Sequence, residues 1–373
     1  MKRAISRVGP AWTAGRVVVL LSFVLILAGC TGPRYVVQAA CGQLEISFAR
    51  RDISDVLRDE DVPERVRALL AQVPAVKRFG ELHGLRPTAS YDTYADLERS
   101  AAVWVTSAAE PLGFKMKSWG FPIVGSVTYL GWFDRSDARD FARDLKDEGW
   151  DVDVRGASAY STLGWFDDPV LSTMIPDGDE ALGELANVVL HESVHATLYF
   201  KGQTALNESV ANFIGDALAE IYLDRTVGAR SLEKAAYMEG QREGERRREA
   251  MAAAYEELDR LYKSSASDRE KLAKKASILI ALRREIRARR PITNATLAQF
   301  KQYNTGKEEL ALLLKACGGS FPRLLATLRR FEKGLGPGLA KAADTERAPK
   351  QQERDLAKLF LPLVQAGCPE TPP

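Results

Sequence analysis

Histidine and cysteine are scarce in this chain, with three and four copies among 373 residues. The only histidine outside the pair His191 and His195 is His83. No two cysteines have C-x-x-C spacing, which argues against a cysteine-bound metal. Long apolar runs are also missing. The longest, Val17 to Ala28, is broken by Ser22 and falls short of the roughly 20 residues that a bilayer-spanning helix needs. Nor is there an excess of one charge: 52 Lys and Arg face 50 Asp and Glu, for a net +2. Four of the cations, Lys2, Arg3, Arg7 and Arg16, precede or begin that apolar run. Setting them aside turns +2 into −2. The small basic excess therefore belongs to the leader and gives no support to a nucleic-acid partner.

A basic flank, a short apolar core and then small residues read as an export signal over residues 1–29. Its end, Leu27-Ala28-Gly29-Cys30, resembles the lipobox of bacterial lipoproteins. That resemblance implies cleavage before Cys30, a lipid on Cys30, and a membrane-anchored protein facing the periplasm. With Thr31 rather than Asp next, it implies the outer membrane. The remaining cysteines, Cys41, Cys317 and Cys368, allow one disulfide in an oxidising compartment, and the sequence leaves the pairing open.

The rest reads as an α+β fold, mostly helical: a small sheet, a metal-binding helix, an antiparallel helix bearing a glutamate, then a long helical hairpin. Residues 30–100 read as helical, with breaks at Val62-Pro63 and Val73-Pro74. Residues 101–225 form the core around the site. There Ala102–Thr106, Phe114–Lys117, Ile123–Val127 and Asp151–Val154 have strand character. Ala138, Phe141, Ala142 and Leu145 share one helix face. Asp177–Glu180 and Ser267–Glu270 look like capping boxes. Residues 226–368 read as helical. They contain a charged hairpin broken at 263–267, with apolar stripes at Tyr255, Leu258, Leu261, Tyr262 and at Ile278, Leu279, Leu282, Ile286, followed by two or three further helices. The tail 369–373 reads as disordered.

The chemistry is concentrated in HESVHATLYFKGQTALNESVANF, residues 191–213. His191 and His195 are one helical turn apart on one face, so their imidazoles can share one tetrahedral zinc. Glu192 then stands beside the metal as general base for a water. The third ligand is Glu208. The turn near 201–204 makes two antiparallel helices, and its midpoint puts Glu208 level with His195, within reach across the roughly 8–10 Å between packed helices. Asn212, one turn beyond Glu208, is a candidate partner for a ligand.

The H-E-x-x-H helix completed by an Asn207-Glu208 pair resembles the gluzincin metallopeptidases. Together with Ala159–Pro169 it more closely resembles a bacterial family of zinc aminopeptidases. That resemblance implies one zinc per chain, a peptide substrate and hydrolysis at its N-terminus. It further implies that the strand Tyr160-Ser161-Thr162-Leu163-Gly164 pairs with the substrate backbone, unless it is a core strand. Tyr160 or Tyr303 would donate to the oxyanion. Glu184, Asp167 or Asp168 would hold the substrate amine. The upstream glycine-rich motif that wider relatives use for the amine is missing. Two alternatives stay open: an envelope endopeptidase, and a non-catalytic zinc-binding chaperone or scaffold. Protein partners are not legible.

Overall fold

The structure is a computed structural model. It describes residues 33–121, 125–160, 167–200, 203–300, 306–334 and 349–368. Cys30, Ser161, Thr162, Leu163, Gly164, Tyr303 and the tail 369–373 lie outside the described residues. The fold is α+β and mostly helical, with small sheets. No described helix is long and apolar enough to cross a membrane.

The described residues open with α1 (Pro33–Ala49), then β1 (Arg50–Asp52), α2 (Ile53–Val56), α3 (Glu64–Leu70) and α4 (Val73–Leu82). Pro63 precedes α3 and Pro74 lies in the first turn of α4. Both prolines start helices, where a missing N–H costs nothing. The helical expectation for this stretch missed β1 and β2 (Thr93–Ala95). These pair antiparallel, Arg51 opposite Tyr94, and β2 continues parallel into β8 (Val170–Leu171).

A second sheet has the order β6-β3-β7, all antiparallel, with β3 (Val103–Ala109) between β6 (Leu130–Trp132) and β7 (Asp151–Ala157). A two-stranded ribbon, β4 (Trp119–Phe121) with β5 (Gly125–Val127), lies beside it. The amphipathic α5 (Arg135–Asp147) covers this sheet: Ala138, Ala142 and Leu145 pack on Leu130, Trp132 and Val152. Asp134 caps α5 by accepting from the Ser136 and Asp137 N–H groups. The strand expected at Phe114–Lys117 does not form. Met116 makes one bridge to Ala109, while the Phe114 ring stacks on Tyr255 at 3.8 Å. Packing against the hairpin outweighs its local strand propensity.

The charged hairpin is α8 (Leu232–Tyr262) and α9 (Asp268–Glu285), and the Ser267–Glu270 capping box forms between them as expected. Its apolar stripes meet in their own cluster around Leu258, Leu279 and Leu282. The hairpin is tied to the sheet through Asp151. That carboxylate accepts from Lys275 Nζ at 2.6 Å and from the Asn294 N–H at 2.7 Å.

Among the described residues four helices follow, where two or three were expected: α10 (Asn294–Phe300), α11 (Lys307–Ala316), α12 (Phe321–Gly334) and α13 (Pro349–Ala366). Cys317 and Cys368 form the disulfide that joins the ends of α11 and α13, and Cys41 is free and exposed. The main core gathers α1, α4, the β1-β2-β8 sheet and α11–α12 around two central helices, α6 (Ala181–Thr197) and α7 (Thr204–Thr226).

Candidate metal centre

The two central helices carry the residues singled out above. The α6 helix starts without the predicted capping box: Glu180 is its N-cap and no side chain caps it. Its interior is set by Leu185, Ala186, Val189, Leu190 and Val194, all fully buried. The helix stops at Thr197. Leu198 is extended, and Phe200 is anchored in the core.

Asn207 then closes the connection. Its Oδ1 accepts from the Phe200 N–H at 2.7 Å and its Nδ2 donates to the Phe200 carbonyl at 2.8 Å. This bracket is buried, so both backbone groups depend on it. The neighbouring residue, Glu208, is thereby turned toward α6.

The outcome is a triangle. His191 Nε2 and His195 Nε2 are 3.1 Å apart. The Glu208 carboxylate puts Oε2 3.6 Å from His191 Nε2 and Oε1 3.7 Å from His195 Nε2. The three side chains are 16, 17 and 22 % exposed, shielded yet reachable from solvent. Metal–ligand distances of about 2.0–2.1 Å in a tetrahedron require ligand atoms roughly 3.3 Å apart. The three observed separations bracket that figure, so two imidazoles and a carboxylate fit a zinc ion in both donor type and spacing. Among the described residues this is the one group of three or more His, Cys, Asp or Glu side chains placed to share a metal. His83, the third histidine, is not part of it: its Nδ1 meets the Phe79 carbonyl at 2.7 Å.

Electrostatics differ at the two rings. Burial, reinforced by the neighbouring His191, pushes His195 down to about 4. At His191 burial is the largest influence and acts downward. Glu208, Glu192 and Asp216 together outweigh it and leave the ring above its usual value. Of the two rings, His191 is therefore the more easily protonated.

Behind the triangle the helices repeat the same register. Asn187 and Asp216 lie eight residues further from the turn than His195 and Glu208, and Asn187 Nδ2 donates to Asp216 Oδ1 at 2.7 Å. Asn187 also bonds the Tyr237 hydroxyl of α8 at 2.7 Å. Glu184 belongs to this neighbourhood: burial, with Asp216 and Glu180 nearby, raises its carboxyl. It sits seven residues before His191, about 10 Å along the helix axis.

Asp168 and Asp167 part company. Asp167 is exposed, whereas Asp168 is buried. Two phenols feel the Asp168 charge. One is Tyr160, raised by burial and by Asp168, whose ring packs edge-on against Phe133 at 5.4 Å. The other is Tyr91, which the sequence reading missed. Tyr91 is buried and pushed well up by burial, by Glu192 and by Asp168. Its backbone is left-handed, φ 69°, and its N–H donates to the Asp168 carbonyl at 2.6 Å. That conformation costs a bulky residue on the order of 1 kcal/mol and persists only where neighbours impose it. Asn212 is half-buried on α7.

A family model described as Putative aminopeptidase matches residues 34–336, which includes both central helices. No curated protein and no solved structure matches the chain.

Proposed function

Since the chain belongs to the family described as Putative aminopeptidase, we propose that it is a zinc-dependent peptidase that releases N-terminal residues from peptides in the cell envelope. The observation that carries this reading is the triangle of His191, His195 and Glu208, with the charge of the adjoining Glu192 acting on His191. Zinc held by those three side chains would supply Lewis acidity to a water and to the scissile carbonyl.

The protein's own groups do the rest. The Glu192 carboxylate takes the proton of the attacking water and passes it to the leaving amine. Tyr91 keeps its proton throughout the working range, because burial, Glu192 and Asp168 all hold its pKa high. In this reading its O–H would serve as the donor to the reacting oxygen. Asp168, buried and close enough for its charge to act on both Tyr91 and Tyr160, is the anchor we assign to a substrate amine in place of Glu184, which the helix rise carries away from the triangle.

In this reading the lipobox resemblance at Leu27-Ala28-Gly29-Cys30 would put this chemistry on a lipid tether, at the outer membrane and facing the periplasm. Peptides with free and blocked amino termini test the exopeptidase assignment. Cleavage of the free form alone supports it, and equal cleavage of both identifies an endopeptidase. Glu192→Gln should abolish turnover while zinc stays bound. A Glu192→Gln variant that sustains the protein's full role in the cell would point to a scaffold instead.

A further inference from the structure

The helix α1 is apolar on two opposite faces. Its inner face is packed: Ile46 is buried in the core, and the Phe133 ring fills the space over Gly42 where a side chain would stand. Its outer face should then be polar. Instead it carries Val37, Cys41, Leu44 and Phe48, spaced four, three and four residues apart, which puts them on one stripe. Val37 is 49 % exposed, Leu44 53 % and Phe48 85 %, and Cys41 is exposed as well. A surface helix ordinarily presents charge there.

The position of this stripe in the chain says what covers it. Only Thr31 and Gly32 separate Cys30 from the start of α1. Three residue steps reach at most about 10 Å. If Cys30 carries the lipid, the first turn of α1 is held within that distance of the bilayer. We infer that the stripe Val37-Cys41-Leu44-Phe48 rests in the headgroup region of the membrane that tethers the chain. The inference rests on the lipid tether proposed above.

The surroundings suit a lipid surface. Glu45, the acid beside the stripe, is paired with Arg99, and Arg34 at the head of the helix with Asp137. No bare carboxylate among these opposes an anionic headgroup. Tyr129, 41 % exposed, lies near Tyr35 in the first turn and has the ring-and-hydroxyl form favoured at an interface. A second copy of the chain is the weaker occupant. The stripe is about 16 Å long on a helix about 10 Å wide. That is far below the roughly 800 Å² per partner that a stable dimer buries.

The test uses the full-length protein in nanodiscs of phosphatidylethanolamine and phosphatidylglycerol, with bimane on Cys41. Detergent phase separation first establishes whether the protein partitions with lipid. A protein that stays in the aqueous phase overturns the tether, and the docked stripe with it. With the protein on the disc, shallow doxyl lipid should quench Cys41-bimane at least twofold. Aqueous iodide should quench it several-fold less than in the Leu44→Asp, Phe48→Asp double variant. Anchored protein whose Cys41 is quenched freely by iodide and not by doxyl lipid overturns the docked stripe while leaving the tether intact. A Cys41–Cys41 cross-linked dimer in unlabelled protein would overturn it in favour of a second copy.

Discussion

Gly215 lies against the backbone of His191. A Cβ added there would stand 3.2 Å from His191 Cβ and 3.3 Å from its Cα and N. Glu208 is seven residues earlier, two turns along the same face of α7. The glycine therefore sets how closely α7 approaches α6, and with it how far Glu208 reaches toward the two rings. Gly215→Ala gains helix propensity, up to about 1 kcal/mol, but pushes on backbone that cannot rotate away. Zinc affinity should fall about tenfold while the thermal midpoint changes by only a few degrees. Calorimetric zinc titration beside a melt checks this, and unchanged affinity would show that the helix spacing is not critical.

Asn207→Ala removes both bonds that close the α6–α7 connection and strands the Phe200 N–H and carbonyl in the interior. Each unsatisfied group costs about 1–3 kcal/mol. A loss of at least about 2 kcal/mol in denaturant unfolding, with weaker zinc binding, is the expected result. A neutral effect would mean that the connection holds without its bracket.

Tyr91→Phe keeps the buried ring and removes the hydroxyl whose proton burial and the charges of Glu192 and Asp168 hold in place. Turnover should drop ten- to a hundredfold, with zinc content and melting temperature near those of the unaltered protein. If kcat is unchanged, the left-handed Tyr91 serves packing alone.

The pH dependence of zinc binding follows from the two rings. His195, held near 4, is neutral across the ordinary range. His191, raised by Glu208, Glu192 and Asp216 against its burial, holds a proton that zinc must displace. Affinity should be flat above the raised His191 value and fall about tenfold per pH unit below it, with one proton released per zinc. A slope of two protons between pH 5 and 7 would show both rings charged in the metal-free protein.

Much of the site was legible because it is local. His191 and His195 share a face by helix periodicity, and the short turn fixes the partner of His195 at Glu208. The same step of eight residues would have found Asn187 and Asp216. Tyr91 gave no such signal. Its left-handed backbone is imposed by Asp168, 77 residues away in the chain, and nothing in Ala89-Ser90-Tyr91-Asp92 foretells it. The Cys317–Cys368 pairing was equally silent, since three cysteines left the choice to tertiary structure. Phe114–Lys117 was misread as a strand for the opposite reason. Its local propensity was clear, but the ring of Tyr255 gave Phe114 a better partner.

The most direct test is the zinc content of the purified protein beside Glu208→Ala. One zinc per chain, lost or much weakened in the variant, is the predicted result and would establish His191, His195 and Glu208 as a single site. No zinc in either protein after metal is supplied would contradict the account: the two histidines would then be ordinary residues of a central helix.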